Sequence, residues 1–257
     1  MISGFLAAIA FLTRLPVGRL RGFGPEEVAR SARWFPLVGA LLGGISVAVL
    51  RLCVPIFPPL VIAVLIAGVG VLLTGAMHQD GLADTADGFG GGGTREDVLR
   101  IMRDHAIGSY GGVALVLVLA LKIATVAALI DGYDGHDGHR ALTALLLAPI
   151  LGRWSAVLLS ATQPYARPPS PDAPSSAGSL TRFVGRNELI IATALAVAIA
   201  VPFDRWRGSA ALVLVAVASA GWAWWCRRRI GGITGDTVGT GVEMSECLVL
   251  LLFTALH

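Results

Sequence analysis

A chain of 257 residues that is 55% hydrophobic and only 14% charged, with a formal net charge of +3, is too apolar for a soluble globule, in which roughly 25% of residues are charged. Its basic pI of about 9.1 does not point to nucleic acid, because the arginines punctuate long apolar stretches instead of forming a patch; disorder, collagen and disulfide scaffolds fall to the same numbers. The expectation is an all-α, polytopic transmembrane helix bundle in one integral-membrane domain spanning residues 1–257, with the lipid bilayer as a partner and no nucleic acid.

The chain opens on an apolar run, residues 1–12, with no basic residue before it and no convincing cleavage site. A short helix at or entering the membrane is expected there, not a signal peptide. A hydrocarbon core of about 30 Å takes about 20 apolar residues in a helix. Spans are predicted at 36–56, 60–77, 111–130, 141–162, 189–203, 209–225 and 238–256. The fifth is short and the last is apolar only in its second half, which sets the range at six to seven spans. Residues 168–179, with Pro168, Pro169 and Pro171 ahead of a small, polar run, read as a loop. Trp206, Trp222, Trp224 and Trp225 sit near span ends, as interfacial anchors do. Cys53, Cys226 and Cys247 lack any short spacing and read as small apolar residues inside helices.

Arginine and lysine then set the orientation. Alternating spans put Arg14, Arg19, Arg21, Arg30 and Arg33 on one side, with Arg95, Arg100 and Arg103, then Arg167, Arg182 and Arg186, then Arg227, Arg228 and Arg229. The other side receives only Arg140, Arg205 and Arg207. Fourteen against three makes the first side cytoplasmic. Arg51, Lys122 and Arg153 fall inside spans; Lys122 and Arg153 either snorkel or pair with an acid.

The acidic residues gather on the arginine-rich side. In MHQDGLADTADGFGGGG, Asp80, Asp84 and Asp87 are spaced i, i+4, i+7, within about 60° of one another on a helix. Three carboxylates so placed repel one another unless a cation compensates them, and no Lys or Arg lies between Arg51 and Arg95. A divalent ion held by oxygen ligands, Mg²⁺, Mn²⁺ or Ca²⁺, answers that need; a solvated acidic helix cap is the plainer alternative. Gly81 and Gly88 keep that face open. His78 lies roughly 160° from Asp80 on a continuous helix, so it is either a packing histidine or, if the helix breaks near Gly81, a catalytic one. A second cluster, RIMRDHAIGSYGG, offers Arg103 for phosphate oxygens and Asp104 for a metal shell, or a plain salt bridge. A third, GGITGDTVGTGVEMSE, carries Asp236, Glu243 and Glu246 among glycines, with a flexible loop and an acidic helix start as its alternative. Acids for metal and arginines for phosphate suit phosphoryl transfer from a nucleotide diphosphate-linked substrate. Gly90 to Gly93 is no Walker A loop and reads as a linker. DGYDGHDGHR, 131–140, lies on the opposite side without the closing Glu of an EF-hand and reads as a polar turn.

These strings resemble the cobalamin synthases, or adenosylcobinamide-GDP ribazoletransferases. The resemblance runs through FLTRLPVG (11–18), ARWFPLVGALLG (32–43), MHQDGLADTADG (77–88), IMRDHAIGSYGGVALVLVLALK (101–122) and TGDTVGTGVEMSE (234–246). It implies a Mg²⁺-dependent enzyme of the bacterial inner membrane, multi-pass, with its active site facing the cytoplasm. The implied reaction moves the phosphocobinamide part of adenosylcobinamide-GDP onto α-ribazole or its 5′-phosphate and releases GMP. It further implies Asp80, Asp84 and Asp87 as metal ligands and His78 near the reacting groups. Asp104, Asp236 and Glu243 follow as further catalytic or ligand residues, and Arg14, Arg33 and Arg103 as phosphate contacts. A homo-oligomer is left open. Asp80-Gly81-Leu82-Ala83 is also similar to the start of the CDP-alcohol phosphotransferase motif, but Asp84 stands where that motif has Arg. The competing reading is a transporter using the Asp cluster as a cation site. It expects acids in mid-span, where the sequence shows only bases.

Overall fold

The computed structural model describes residues 2–17, 23–104, 106–131, 138–167 and 183–256. The Pro/Ser stretch 168–179, most of the 131–140 turn, Arg19, Arg21, Arg182 and His105 lie outside the described residues. Helices α1 (Ile2–Leu12) and α2 (Pro25–Ser31) lead through a 3₁₀ turn (Ala32–Trp34) into α3 (Phe35–Cys53). Then come α4 (Pro59–Thr74), α5 (Met77–Gly91), α6 (Arg95–Ile101), α7 (Ser109–Asp131), α8 (Gly138–Thr162), α9 (Arg186–Phe203), α10 (Arg205–Ile230) and α11 (Gly235–Ala255). Among the described residues the one departure from helix and loop is an isolated bridge between Tyr165 and Ile233.

Among the described residues six helices are long and apolar enough to cross a bilayer: the α2–α3 unit, α7, α8, α9, α10 and α11. A seventh crossing is added if α4 and α5 count together. The chain is a multi-pass membrane protein of the predicted kind. The expected spans fall on these helices, and polar ends lengthen several: the short fifth span starts at Arg186, and the sixth runs from Arg205 to Ile230.

The bundle is built around α8. Leu147, Ile150, Leu151, Val157 and Leu159 are all essentially inaccessible, and a helix buried on every side belongs at the centre. Against it lies α3, brought to backbone contact by Gly39 and Gly43. A Cβ at Gly43 would stand 2.8 Å from the backbone of Leu146, and one at Gly39 2.6 Å from Ile150 Cα. Small residues four apart are the usual means of such approach in a membrane, where apolar burial gives no preference for protein over lipid. The outward faces are apolar: Val113, Val116, Leu117 and Leu121 on α7 and Val213 and Val217 on α10 are exposed, as lipid-facing side chains must be.

The element that positions the candidate site is the elbow between α4 and α5. Gly75 (φ +66°) and Ala76 (φ +58°) are both left-handed, and the two helix axes meet at 90°. Gly75 takes this backbone freely; Ala76 does so at a cost of about 1–2 kcal/mol. The helix α4 ends with the Ala76 N–H donating to Val71 O at 3.0 Å. The turn sends α5, rich in glycine and aspartate, at 90° to α4 and across the start of α11. The FGGGG tract departs from the linker expectation. Phe89, Gly90 and Gly91 form the end of α5 and only Gly92 and Gly93 link it onward to α6; a Cβ at Gly90 would stand 2.6 Å from the ring of Tyr110. Arg229 donates to the carbonyls of Phe89 and Gly92 there.

Candidate active site

Helix α5 is continuous from Met77 to Gly91, so its two faces carry different chemistry. One bears Asp80, Asp84 and Asp87; the other bears His78 and Gln79.

On the aspartate face, α11 begins where α5 crosses it. A Cβ at Gly81 would stand 2.8 Å from Asp236 O, and Thr240 Oγ1 donates to Gly81 O at 3.1 Å. Only a glycine lets the two backbones meet, and their meeting brings Asp236 to the aspartate row. Asp236 is fixed by Thr234, whose hydroxyl donates to it at 3.2 Å, and by Arg167, whose Nη2 donates at 2.8 Å. Asp84 sits among these charges. Burial, then Asp236 and Asp80, push its carboxyl up to about 6, with Arg167 opposing them. Asp80 is exposed and Asp84 half-buried, so the row faces solvent at the elbow.

Asp87 is placed differently. It is 9% exposed and accepts the Gly108 N–H at 2.7 Å and the Gly111 N–H at 2.9 Å, one on each oxygen. Neighbouring glycines make room: a Cβ at Gly108 would stand 2.5 Å from Asp87 Oδ1. Asp87 is the side-chain cap of α7 and clamps the preceding loop to α5.

The opposite face of α5 looks into the bundle. His78 is buried at 4% exposure, and the charges acting on it are Arg153, Glu246 and Lys122. Helical spacing had put it away from Asp80, and with no break at Gly81 it stays there. Gln79 Nε2 donates to Glu243 at 2.9 Å. Lys122 Nζ donates to Glu243 at 2.8 Å and to Glu246 at 2.5 Å, and Arg153 pairs with Glu246. The expectation that mid-span charges are all basic is therefore corrected. Two acids lie within α11, and they neutralise the two bases on α7 and α8. With Glu243 so engaged, it lies about 10 Å deeper along α11 than Asp236 at 1.5 Å per residue. The sequence grouped Asp236 and Glu243 in one cluster without showing that Gln79 and Lys122 engage Glu243.

Of the remaining candidates, Arg103 and Asp104 are exposed, and Asp104 accepts the Ala106 N–H at 3.1 Å in a local turn. Arg14 lies over the elbow, its side chain filling the space that a Cβ at Gly75 would need, and its N–H donates to Leu73 O at 2.7 Å. Arg33 lines a cleft beside α9 that none of the aspartates lines.

Among the described residues, no three His, Cys, Asp or Glu side chains stand close enough to enclose a metal ion. Asp80, Asp84 and Asp236 have the chemistry for one, however: all-oxygen donors, a like-charge load on Asp84 and one arginine, Arg167, to offset it. Spacing pointed to the first two. Arg167 was missed, because a lone arginine in a proline-rich loop carries no pattern. The Lys122–Glu243–Glu246–Arg153 cluster had a signal in sequence: two bases and two acids within apolar helices, which must find each other.

A profile of the family described as cobalamin-5-phosphate synthase matches residues 4–254, and the chain belongs to that family. It is 39% identical over 257 residues to the adenosylcobinamide-GDP ribazoletransferase of Klebsiella pneumoniae subsp. pneumoniae, covering 98% of this chain and 99% of the relative. It is 38% identical to the enzyme of that name from Shewanella sp. strain W3-18-1 (98% and 94% covered) and 37% identical to that from Chlorobaculum tepidum (98% and 95%). No solved structure matches the chain.

Proposed function

We propose that this chain is a single integral-membrane enzyme of the bacterial inner membrane that transfers the phosphocobinamide group of adenosylcobinamide-GDP to α-ribazole or its 5′-phosphate. Family membership supports the reaction. The observation that carries the site is the contact of α5 with the start of α11 at Gly81, which sets Asp236 and Asp80 among the charges acting on Asp84. The arginine asymmetry supports a cytoplasmic opening.

In the reaction, an oxygen–phosphorus bond forms between the acceptor hydroxyl and the phosphate attached to cobinamide. The bond from that phosphate to the bridging oxygen breaks, and GMP departs with the oxygen. Asp80, Asp84 and Asp236 would hold Mg²⁺. A divalent ion held by them would supply positive charge against the pyrophosphate and the leaving phosphate. Arg167 orients Asp236 and adds positive charge beside it. A carboxylate of the row accepts the hydroxyl proton. Arg14, over the elbow, and Arg103, exposed on the loop that Asp87 clamps, are assigned to phosphate oxygens, with Arg33 the third cation of that set. His78 and Glu243, on the inward side, hold α5 in register instead of touching substrate.

The test is turnover in detergent or vesicles: the GDP-linked corrinoid, α-ribazole and Mg²⁺ in, GMP out. Asp84→Ala lowers the rate by about 10²–10³-fold, since a lost ligand removes several kcal/mol of charge stabilisation, at unchanged expression. Full turnover in that variant, or equal rates with EDTA and with Mg²⁺, rejects the site.

A further inference from the structure

Between the 3₁₀ turn Ala32–Trp34 and the first turns of α9 lies an open cleft of about 540 Å³, lined by Arg30, Arg33, Asn187, Glu188 and Ile190 among others. None of Asp80, Asp84, Asp87 and Asp236 lines it. Three properties converge there.

The arginines are set for an anion. Arg33 Nε donates to Arg30 O at 2.8 Å, which fixes the guanidinium plane and leaves its terminal nitrogens as donors. Arg30 makes only an exposed contact with Glu26 at 3.4 Å. The cleft also receives the start of α9, an 18-residue helix. The Gly185 N–H is taken by the Glu188 carboxylate at 3.1 Å, so that acid is turned into the helix's own cap. The next N–H groups have no acceptor within the helix and present the positive end of its dipole.

Below the cleft, α9 is a lipid face. Ile190, Ala194 and Val197 are exposed at i, i+4, i+7, a single apolar stripe running down from the cleft into the depth of the bilayer. A soluble phosphate would satisfy the arginines and leave that stripe unused. A phospholipid satisfies both.

We propose that this cleft binds the headgroup phosphate of an anionic phospholipid from the arginine-rich leaflet, its acyl chains lying along Ile190 and Val197. Basic recesses between helices at that surface are where anionic lipids are held. The proposal requires only that the chain sits in a membrane, so it stands or falls apart from the transfer reaction.

The test is native mass spectrometry of the full chain in detergent, titrated with phosphatidylglycerol or phosphatidylcholine. One phosphatidylglycerol per chain is retained in preference to phosphatidylcholine. The double variant Arg30→Ala/Arg33→Ala binds it roughly 25-fold more weakly, at about 1 kcal/mol per arginine and tenfold per 1.4 kcal/mol. Asn187→Asp, which leaves every cation in place, also weakens it. Equal retention of the two lipids, or unchanged phosphatidylglycerol binding in both variants, overturns the proposal. So does complete displacement of the lipid by millimolar inorganic phosphate, or a raised KM for the GDP-linked donor in the double variant with lipid binding intact. Either of these last two results would make the cleft a site for soluble phosphate.

Discussion

Asp84 is the side chain on which competing demands fall. Its carboxyl is pushed up to about 6 by burial and by Asp236 and Asp80. A raised carboxyl means that the folded chain holds its proton more tightly than the unfolded chain, so stability contributed by protonation is present at low pH and lost as pH rises from about 4 to about 6. Without divalent cation, Asp84→Asn is expected to melt at a higher temperature than wild type at pH 7. The gap should close as pH is lowered to 5, while the variant stays inactive throughout; differential scanning fluorimetry beside a GMP assay checks both. Asp87 predicts a different phenotype from Asp84. Asp87→Ala removes the side-chain acceptors of two backbone N–H groups, those of Gly108 and Gly111, at the start of α7, costing about 1–2 kcal/mol, and lowers turnover. Asp87→Asn, which keeps an acceptor oxygen, recovers part of each. The Mg²⁺ concentration giving half-maximal rate stays put in both, whereas a direct ligand would shift it.

At the scale of elements, glycines decide which helices meet. A Cβ at Gly43 would run into the α8 backbone, while nothing stands within 4 Å of one at Gly44. Gly43→Ala is expected to cost about 1–3 kcal/mol by overpacking and Gly44→Ala to be nearly neutral, read from melting temperatures in one detergent. The same reasoning shows what was legible in the sequence. Apolar length gave the spans, and i, i+4, i+7 spacing put the aspartates on one face and His78 on the other, because each depends on one helix alone. The pairing of Arg167 with Asp236, the engagement of Asp87 by α7 and that of Glu243 by Gln79 and Lys122 depend on how separate elements cross. Close approach at Gly81 and Gly43 sets those crossings, and no local period encodes them.

For the whole molecule, the distribution of arginines makes a topological prediction. In a cysteine-free background, Gly93→Cys, next to α6, is expected to react with an impermeant thiol reagent only after cells are opened. His139→Cys, at the start of α8, should react in intact cells. The reverse pattern would place the aspartate row outside the cytoplasm. The buried charges make another. Lys122→Ala leaves two buried glutamates with Arg153 as their one cation among the described residues and is expected to destabilise by about 3–5 kcal/mol. Lys122→Met combined with Glu243→Gln, which takes away one base and one acid, should regain much of that loss.

That cluster also bears on how the protein is made. Lys122 is synthesised 121 residues ahead of Glu243, and Arg153 93 residues ahead of Glu246. As the chain leaves the ribosome, α7 and α8 reach the insertion machinery carrying positive charges whose counterparts have yet to be translated. The final helix delivers both, so a message truncated before α11 would release two spans with unmatched cations in lipid, a ready mark for membrane quality-control proteases.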